Sequence, residues 1–332
     1  MNIHHSSTNI PAVLTAGKLP VVAAPLFIIS VPDLVIAQCK AGVIGSFPAL
    51  NAREKEGEPI ELERWLKRIT EELDRHNQEN PDNPAAPFAV NQIVHRSNPR
   101  LMRDIEICVK WNVPVWITSL GARPEVNEAA HSCGGVVLHD IINNTFARKA
   151  IEKGADGLIA VAAGAGGHAG PQSPFALIQE IREWFKGPLL LSGSIATGRA
   201  LLASLMMGAD MGYVGSPFIA TKEANATDAY KNMIVDSSAE DILLSSLFTG
   251  VSGNYLKPSV INAGMDPDNL QEGSVKDMNF DPSSEKPKAW SQIFGCGQGL
   301  ASIKALETVS EFVHNLDSEF KAAVSEFKLK FS

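Results

Sequence analysis

Between residues 21 and 215 the sequence alternates short apolar segments with longer polar or amphipathic ones eight times. Short segments that are apolar on both faces are typical of fully buried strands in a parallel sheet. The predicted strands are residues 21–28, 43–47, 88–93, 113–119, 135–141, 158–163, 188–192 and 211–215. Eight strands that alternate with helices call for a closed parallel sheet, so the sequence predicts an α/β fold, the eight-stranded (β/α)8 TIM barrel.

An open, doubly wound sheet is the alternative arrangement of these elements. It is disfavoured because no Gly-x-Gly-x-x-Gly motif follows the first predicted strand. The 332 residues exceed those of a plain barrel, so we expect a cofactor-binding barrel core over 12–220 and an extension of helices and loops over 221–332 that caps and completes it. In the extension the pattern predicts helices over 221–246, 300–315 and 318–331, and a polar surface excursion over 266–288.

Composition and charge disfavour several classes of partner. The formal net charge is -8, whereas nucleic acids and anionic membranes select basic proteins. The apolar segment 19–39 is interrupted by Pro25, Pro32 and Asp33, which argues against a membrane span. The four cysteines are far apart and form no C-x-x-C pair, so we expect neither disulfides nor a metal site. With no signal-peptide pattern in residues 1–11, a cytoplasmic location is expected, and a homodimer is left open.

The sixth predicted strand runs into a loop that holds four glycines around one histidine, Gly164-Ala-Gly-Gly-His168-Ala-Gly170. Glycine is placed where the backbone must turn sharply or approach a ligand closely. A planar ligand lying against Gly164, Gly166 and Gly167 would leave the imidazole of His168 over its reactive edge. The alternative is a tight strand-to-helix turn with an incidental histidine, although such a turn needs fewer glycines.

Two glycine–serine turns follow the seventh and eighth predicted strands, Ser192-Gly193-Ser194 and Gly215-Ser216. Barrels often bind phosphate at this position, through backbone N–H groups and small hydroxyls. Two ordinary turns between strand and helix are the alternative interpretation. Because both turns occur in the expected places, the sequence favours a phosphate site without identifying the molecule that carries the phosphate.

Other candidate residues stand at the carboxyl ends of predicted strands, where active sites of barrels lie. Asn91 could hydrogen-bond a heterocycle or simply form a turn, and His139 is as consistent with a satisfied buried histidine as with a cofactor contact. The strand-end residues are poor in carboxylates and hold no cluster of metal ligands. Metal-assisted and two-carboxylate hydrolysis are therefore disfavoured.

Together these motifs resemble the nitronate monooxygenase family, formerly called 2-nitropropane dioxygenases. The A-G-G-H-x-G element at Ala165 to Gly170 is the most specific of them. The weaker, collinear matches are Ala24-Pro25-Leu26, Ala89-Val-Asn91, Gly154-Ala-Asp156, Ser192 to Arg199, Met207-Gly-Ala-Asp210, Val214-Gly-Ser216 and Gly297-Gln-Gly299. The chain departs from many relatives at Leu26, at Val161 and Gly164, and at Ser216-Pro217.

The resemblance implies a barrel that binds flavin mononucleotide (FMN) and oxidises alkyl nitronates with O2 to a carbonyl compound and nitrite, without a nicotinamide cofactor. It implies that His168 lies near flavin N5 as a base or as an electrostatic partner, since imidazole titrates near neutrality. The residues implied to contact FMN are Ala24, Pro25, Leu26, Asn91, His139, Gly166, Gly167, Ser192, Gly193, Ser194, Gly215 and Ser216.

Two other functions compete with this interpretation. One is an NAD(P)H-dependent flavin reductase of the same barrel superfamily, either a quinone reductase or an enoyl-acyl-carrier-protein reductase. Such enzymes bind the nicotinamide in an open cleft, so no nucleotide fingerprint distinguishes them in sequence. The other is a non-catalytic flavin-binding protein in which His168 is structural.

Overall fold

The computed structural model describes residues 9–54, 60–270 and 292–331. Its strands are β1 (Val21–Ala23), β2 (Gly45–Pro48), β3 (Phe88–Ile93), β4 (Val115–Ser119), β5 (Val136–Ile141), β6 (Gly157–Val161), β7 (Gly167–His168), β8 (Leu189–Ser192), β9 (Met211–Val214), β10 (Ile242–Ser245) and β11 (Gly253–Leu256). Eight of them form a parallel sheet in the order β1-β9-β8-β6-β5-β4-β3-β2. A parallel bridge between Val22 and Ile44 joins its two ends, which confirms the TIM barrel and excludes the open sheet.

The helices are α1 (Pro32–Ala41), α2 (Ile60–Glu79), α3 (Leu101–Lys110), α4 (Pro124–Ser132), α5 (Asn144–Glu152), α6 (Pro174–Arg182), α7 (Gly198–Met206), α8 (Ser216–Ile219), α9 (Asp228–Asp236), α10 (Lys257–Asn262) and α11 (Val309–Phe331). Capping residues explain where several of these helices begin or end. The side chains of Asn143 and Thr197 accept hydrogen bonds from the first turns of α5 and α7, and α1 stops at Gly42, which has a φ of 97°. None of the helices in the described residues is long and apolar enough to cross a membrane.

The barrel interior is a packed apolar core, because strand residues point alternately to the interior and to the helices. Interior side chains include Ile117, Leu138 and Ile159, which are fully buried. Leu14, from the 3-10 helix Ala12–Thr15, joins this cluster. Since the interior is filled, a ligand has to bind at the carboxyl end of the strands.

The first strand is shorter than predicted, because it ends at Ala23 rather than at residue 28. Proline has no N–H to donate to a strand ladder, and the chain leaves the sheet at Pro25. The departing segment is held by Asn51, whose side chain accepts from Ile28 N–H at 2.8 Å and donates to Leu26 O at 3.0 Å. Residues 24–29 thereby turn over the mouth of the barrel instead of extending β1.

The three helices predicted in the extension differ from the structure in their bounds. Over 221–246, only Asp228–Asp236 is α-helical, because Ser238 and Asp241 form a capping box around a 3-10 turn and the following residues pair with β11. The closing helices predicted over 300–315 and 318–331 are one helix, α11, preceded by the 3-10 turn Gln298–Ser302. Neither Gly nor Pro interrupts residues 309–331, so nothing breaks α11 in the middle. Most of the predicted excursion over 266–288 lies outside the described residues.

Helix α11 packs against α1 and α7 on the outside of the barrel. Its contact with the first residue of α7 is close, since Gly198 N–H donates to Glu319 Oε2 at 2.8 Å. A Cβ on Gly198 would lie 2.1 Å from Phe320 N. The last helix of the chain therefore rests on the helix that follows the Ser192-Gly193-Ser194 turn.

Candidate functional site

A cavity of about 1640 Å³ opens at the carboxyl ends of the barrel strands. It is lined by every residue that the sequence placed in the site, Ala24, Pro25, Leu26, Asn91, His139, Gly166, Gly167, His168, Ser192, Gly193, Ser194, Gly215 and Ser216. The volume exceeds the roughly 300–1,000 Å³ of an ordinary ligand pocket. A cofactor and a substrate can therefore lie side by side in it.

The loop that carries His168 is fixed by the extension. Its two-residue strand β7 pairs antiparallel with β11, which places Gly253 opposite His168 and Asn254 opposite Gly167. The amide of Asn254 donates to Ala165 O at 2.7 Å. Sequence reasoning missed this sheet, because a two-residue strand has no periodicity to detect and its partner lies far along the chain. The His168 loop is therefore fixed in place by its pairing with β11 and by the hydrogen bond from Asn254.

His168 is half-buried, and its Nε2 lies 3.0 Å from Thr249 Oγ1. Burial lowers the pKa of His168 from 6.5 to about 4, because a low-polarity environment disfavours the imidazolium. The imidazole is therefore neutral at physiological pH. A neutral ring can accept a proton but does not supply a positive charge.

The glycines of the His168 loop allow three backbone segments to touch. A Cβ on Gly164 would lie 2.4 Å from Ser194 Oγ, and one on Gly166 would lie 2.7 Å from Gly297 N. The hydroxyl of Ser216, in the turn after β9, accepts a hydrogen bond from Gly297 N–H at 2.9 Å. The turn after β9 therefore contacts the same segment as Gly166. Only glycine permits this approach at Gly164 and Gly166, and the result is a cradle of backbone and small hydroxyls suited to a phosphate.

The turn after β8 has an unusual backbone. Gly193 has a φ of 142° and Ser194 has a φ of 56°. Positive φ is uncommon for a residue with a side chain and is often found at functional sites. The conformation lets Ser194 lie against the glycine loop, which is consistent with the ligand-binding role predicted for this turn.

Asn91 belongs to a row of polar groups on the interior side of β3, β4 and β5. Its amide donates to Ser119 Oγ at 2.7 Å, and Ser119 in turn hydrogen-bonds the carboxyl group of Asp140. Asp140 shares the interior side with Leu138. Sequence reasoning missed Asp140 as a site residue because it weighed the neighbouring His139 instead, although the alternation of β5 is the signal that distinguishes the two.

His139 lines the cavity but belongs to the other side of β5. Its Nδ1 lies 2.6 Å from Thr118 Oγ1, so the ring is hydrogen-bonded within the barrel wall. Burial, and secondly the charge of Lys153, lower the pKa of His139 from 6.5 to about 4. His139 is therefore a neutral, hydrogen-bonded histidine that also borders the cavity. The sequence offered a satisfied buried histidine and a cofactor contact as alternatives, and the position of His139 is compatible with both.

Replacing Asp140 with asparagine is expected to stabilise the protein at neutral pH. Burial raises the pKa of Asp140 from 3.8 to about 6, against the opposing hydrogen bond from Ser119. Between about pH 4 and 6 the folded state thus keeps a proton that the unfolded chain has lost, so stability falls as the pH rises through this range. Asp140→Asn should gain about 2–3 kcal/mol over wild type at pH 7.5, and much less at about pH 4.

Urea unfolding of the flavin-free protein at the two pH values measures this difference. Asp156→Asn is the matched control, because the carboxylate of Asp156 accepts from Val137 N–H at 2.7 Å and pairs with His131. That variant should lose stability at neutral pH. A gain for Asp140→Asn of equal size at both pH values would contradict the ionisation argument.

The outer wall of the cavity is mostly apolar, with basic groups at its edge. Loop 24–29 contributes Leu26, Phe27 and Ile28, and the β10–β11 connection contributes Leu247 and Phe248. Basic residues on the lining are Arg53, Arg100, Lys149 and Lys153. Within the part of the chain that the structure describes, no three His, Cys, Asp or Glu side chains are arranged to hold a metal ion.

Comparison with known proteins agrees with this architecture. The chain matches the family model described as nitronate monooxygenase over residues 12–263. It is 26% identical over 184 residues to the "Probable nitronate monooxygenase" of Staphylococcus aureus (strain Newman), an alignment that covers 52% of this chain and 51% of that protein. The alignments to two of the curated relatives span 51% and 58% of the length of those proteins.

Two solved structures resemble the fold over nearly the whole chain. The nitroalkane oxidase from Streptomyces ansochromogenes superposes with a TM-score of 0.77 at 22% identity, covering 95% of this chain and 100% of that one. FabK from Thermotoga maritima superposes with a TM-score of 0.75 at 20% identity, covering 96% of this chain and 98% of that one. At these identities the likeness establishes the barrel fold.

Proposed function

Since the chain belongs to the nitronate monooxygenase family, whose members are flavin-dependent oxidoreductases, we propose that it binds FMN and oxidises alkyl nitronates with O2. The products are a carbonyl compound and nitrite. The observation that carries the proposal is the neutral imidazole of His168 in a cavity lined by glycine-rich turns.

The cavity fits a flavin that carries one phosphate. Gly193, Ser194, Gly215 and Ser216 would hold the phosphate, because the hydroxyls of Ser194 and Ser216 lie against Gly164 and Gly166 of the His168 loop. Ala24, Pro25 and Leu26 would lie against the ring, and Asn91 would hydrogen-bond its polar edge. When bound, FMN supplies the electron transfer from substrate to O2, and the protein supplies position and proton transfer.

His168 prepares a neutral nitroalkane for oxidation by removing a proton from the carbon beside the nitro group. The C–H bond breaks, the proton moves to the imidazole, and the electron pair stays on the substrate as the nitronate. The cavity wall that includes Phe27 and Phe248 is apolar. The same wall fits the alkyl group of the substrate.

An anaerobic visible spectrum tests the proposal. The protein, reconstituted with FMN, is mixed with propionate 3-nitronate or with NADH, and the flavin absorbance is followed. We expect bleaching by the nitronate alone, followed by nitrite release when O2 is admitted. Bleaching by NADH alone would contradict the nitronate assignment, and a protein that binds no FMN would contradict the flavin site as well.

An NAD(P)H-dependent flavin reductase is the second candidate. Two observations favour it, namely the cavity volume of about 1640 Å³ and the basic side chains of Arg53, Lys149 and Lys153 on its lining. A dinucleotide needs such room, and its phosphates would pair with cationic groups. The NADH arm of the same experiment separates this function from the first.

A further inference from the structure

The floor of the cavity carries two polar side chains, Asp140 on β5 and Tyr213 on β9. Each follows, by two residues, a side chain of the filled barrel interior, Leu138 on β5 and Met211 on β9. Because side chains alternate along a strand, Asp140 and Tyr213 point to the same side as these core residues. They therefore form the last layer of the barrel interior, next to the space that a ligand would occupy.

Tyr213 is a buried phenol whose hydroxyl lacks a partner. The residue is 8% exposed, and its ring belongs to the interior cluster. Within residues 9–54, 60–270 and 292–331, no group hydrogen-bonds the hydroxyl of Tyr213. A buried tyrosine usually places its O–H against an acceptor. Since Tyr213 lines the cavity, a ligand bound there can supply that acceptor.

Asp140 is a carboxyl group without a paired cation. Among the described lining residues, Glu54 and Asp140 carry carboxyl groups. Glu54 Oε1 pairs with Arg103 at 2.7 Å, whereas no cation of the described residues forms an ion pair with Asp140. Ser119 supplies one hydrogen bond to Asp140, and a carboxylate has lone pairs for more. Asp140 can therefore accept hydrogen bonds from a ligand.

The protonation states of the two groups make one an acceptor and the other a donor. Burial raises the pKa of Asp140 to about 6, which leaves the carboxylate ionised at pH 7.5. Burial, and secondly the charge of Asp140, raise the pKa of Tyr213 well above its usual value, so the phenol keeps its proton. A carboxylate that accepts from sugar hydroxyls is a common arrangement in nucleotide-binding proteins. An acceptor and a donor on one floor suit a ligand that has several hydroxyl groups.

The floor lies between the two ends of the proposed cofactor site. The turns that would hold the phosphate follow β8 and β9, and Asn91, which would meet the polar edge of the ring, lies on β3. In the closed barrel, three strands separate β8 from β3 in either direction, so these strands stand on opposite sides of the mouth. A molecule that reaches both sides has to cross the floor. In FMN, the segment that joins the phosphate to the ring is the ribityl chain, which is a polyol.

We propose that Asp140 and Tyr213 bind the hydroxyl groups of the ribityl chain of FMN, Asp140 as an acceptor and Tyr213 as a donor. The proposal rests on the proposed function in so far as FMN is the cofactor, and it does not depend on which substrate is oxidised. It also gives a reason for an ionised carboxyl group at a place where it lowers the stability of the flavin-free protein, because binding sites retain groups that are unfavourable for folding.

Flavin titrations test the proposal with Asp140→Asn, Tyr213→Phe and the control Asp156→Asn, which lies before β6 at the opposite end of the barrel. Quenching of flavin fluorescence at pH 7.5 measures Kd for FMN. Asp140→Asn loses a charge-assisted hydrogen bond and should raise Kd on the order of tenfold or more, and Tyr213→Phe should raise it about threefold or more. Asp156→Asn should keep the wild-type Kd. An unchanged Kd for FMN in either Asp140→Asn or Tyr213→Phe would overturn the proposal.

Lumiflavin separates the chain from the ring, because it has the same ring with a methyl group in place of the ribityl chain. Its Kd should be the same in wild type and in all three variants. An equal rise of Kd for FMN and for lumiflavin would assign the two residues to the ring and refute their contact with the chain. Where lumiflavin binds too weakly to titrate, the FMN values decide.

Urea unfolding of the flavin-free proteins separates a role in binding from a role in the fold. Asp140→Asn should be more stable than wild type at pH 7.5 and yet bind FMN more weakly. A loss of both stability and affinity would assign Asp140 to the fold and overturn its role in binding. A protein that binds FMN without oxidising nitronates would refute the proposed function alone, whereas one that binds no FMN would refute both.

Discussion

Replacing His168 with asparagine is expected to lower kcat/KM for a neutral nitroalkane by about 10²- to 10⁴-fold, the usual contribution of a general base. Asparagine keeps a polar amide but has no basic nitrogen. The contacts that would hold FMN come from other residues, so flavin content should be unchanged. Oxygen consumption measures the rate, and the absorbance of the purified protein measures the flavin.

His131→Asn provides the matched control for His168. His131 lies at the end of α4 and pairs with Asp156, which precedes β6 at the opposite end of the barrel from the cavity. Its replacement should leave kcat/KM unchanged. Wild-type turnover of nitroalkane by His168→Asn would remove the base from the mechanism, whereas a loss of flavin would assign His168 to cofactor binding.

Replacing Gly198 with alanine is expected to lower the free energy of unfolding by about 3 kcal/mol or more. The new Cβ would lie 2.1 Å from Phe320 N and 2.5 Å from Leu316 O, both backbone atoms of α11. Backbone atoms of a long helix cannot move individually, so α11 has to shift as a whole, and overpacking of this kind costs about 1–3 kcal/mol or more. Urea unfolding monitored by circular dichroism measures the loss.

Gly134→Ala separates the steric clash from the general effect of adding a methyl group. Gly134 has a φ of 76° but no heavy atom lies within 4 Å of its Cβ position, so only the cost of a left-handed backbone remains, about 1–2 kcal/mol. The larger loss should therefore belong to Gly198→Ala. Because α7 follows the Ser192-Gly193-Ser194 turn, the shift should also weaken FMN binding. Equal losses in the two variants would mean that α11 accommodates the methyl group.

Most of the barrel could be predicted from the sequence, since buried parallel strands show as short apolar runs between helices. The prediction for β3, residues 88–93, agrees with the structure at both ends, and most other strands differ by one or two residues. The site residues could be grouped for a related reason: the carboxyl ends of barrel strands meet at one mouth, so residues far apart in sequence, such as Asn91 and Ser216, line one cavity.

The parts that could not be predicted depend on contacts between distant segments. No local pattern indicates that β7 has a partner in β11, or that Thr249 reaches His168 across 81 residues. The helix predicted over 221–246 is wrong for the same reason, because Ile242–Ser245 is a strand only when β11 lies beside it. Asp140 differs from these cases, because the alternation of side chains along β5 can be seen in the sequence. It places Asp140 on the same side of the strand as Leu138.

The hydrogen bond between Asn254 and Ala165 spans 89 residues and crosses from the extension to the barrel. Contacts of this sequence separation form late in folding, because a long loop must close before they contribute stability. During synthesis, the eight barrel strands leave the ribosome before β11 does, so the barrel sheet can assemble while the histidine loop is still without its partner strand. The order of synthesis thus delays completion of the His168 loop until the barrel that carries it exists.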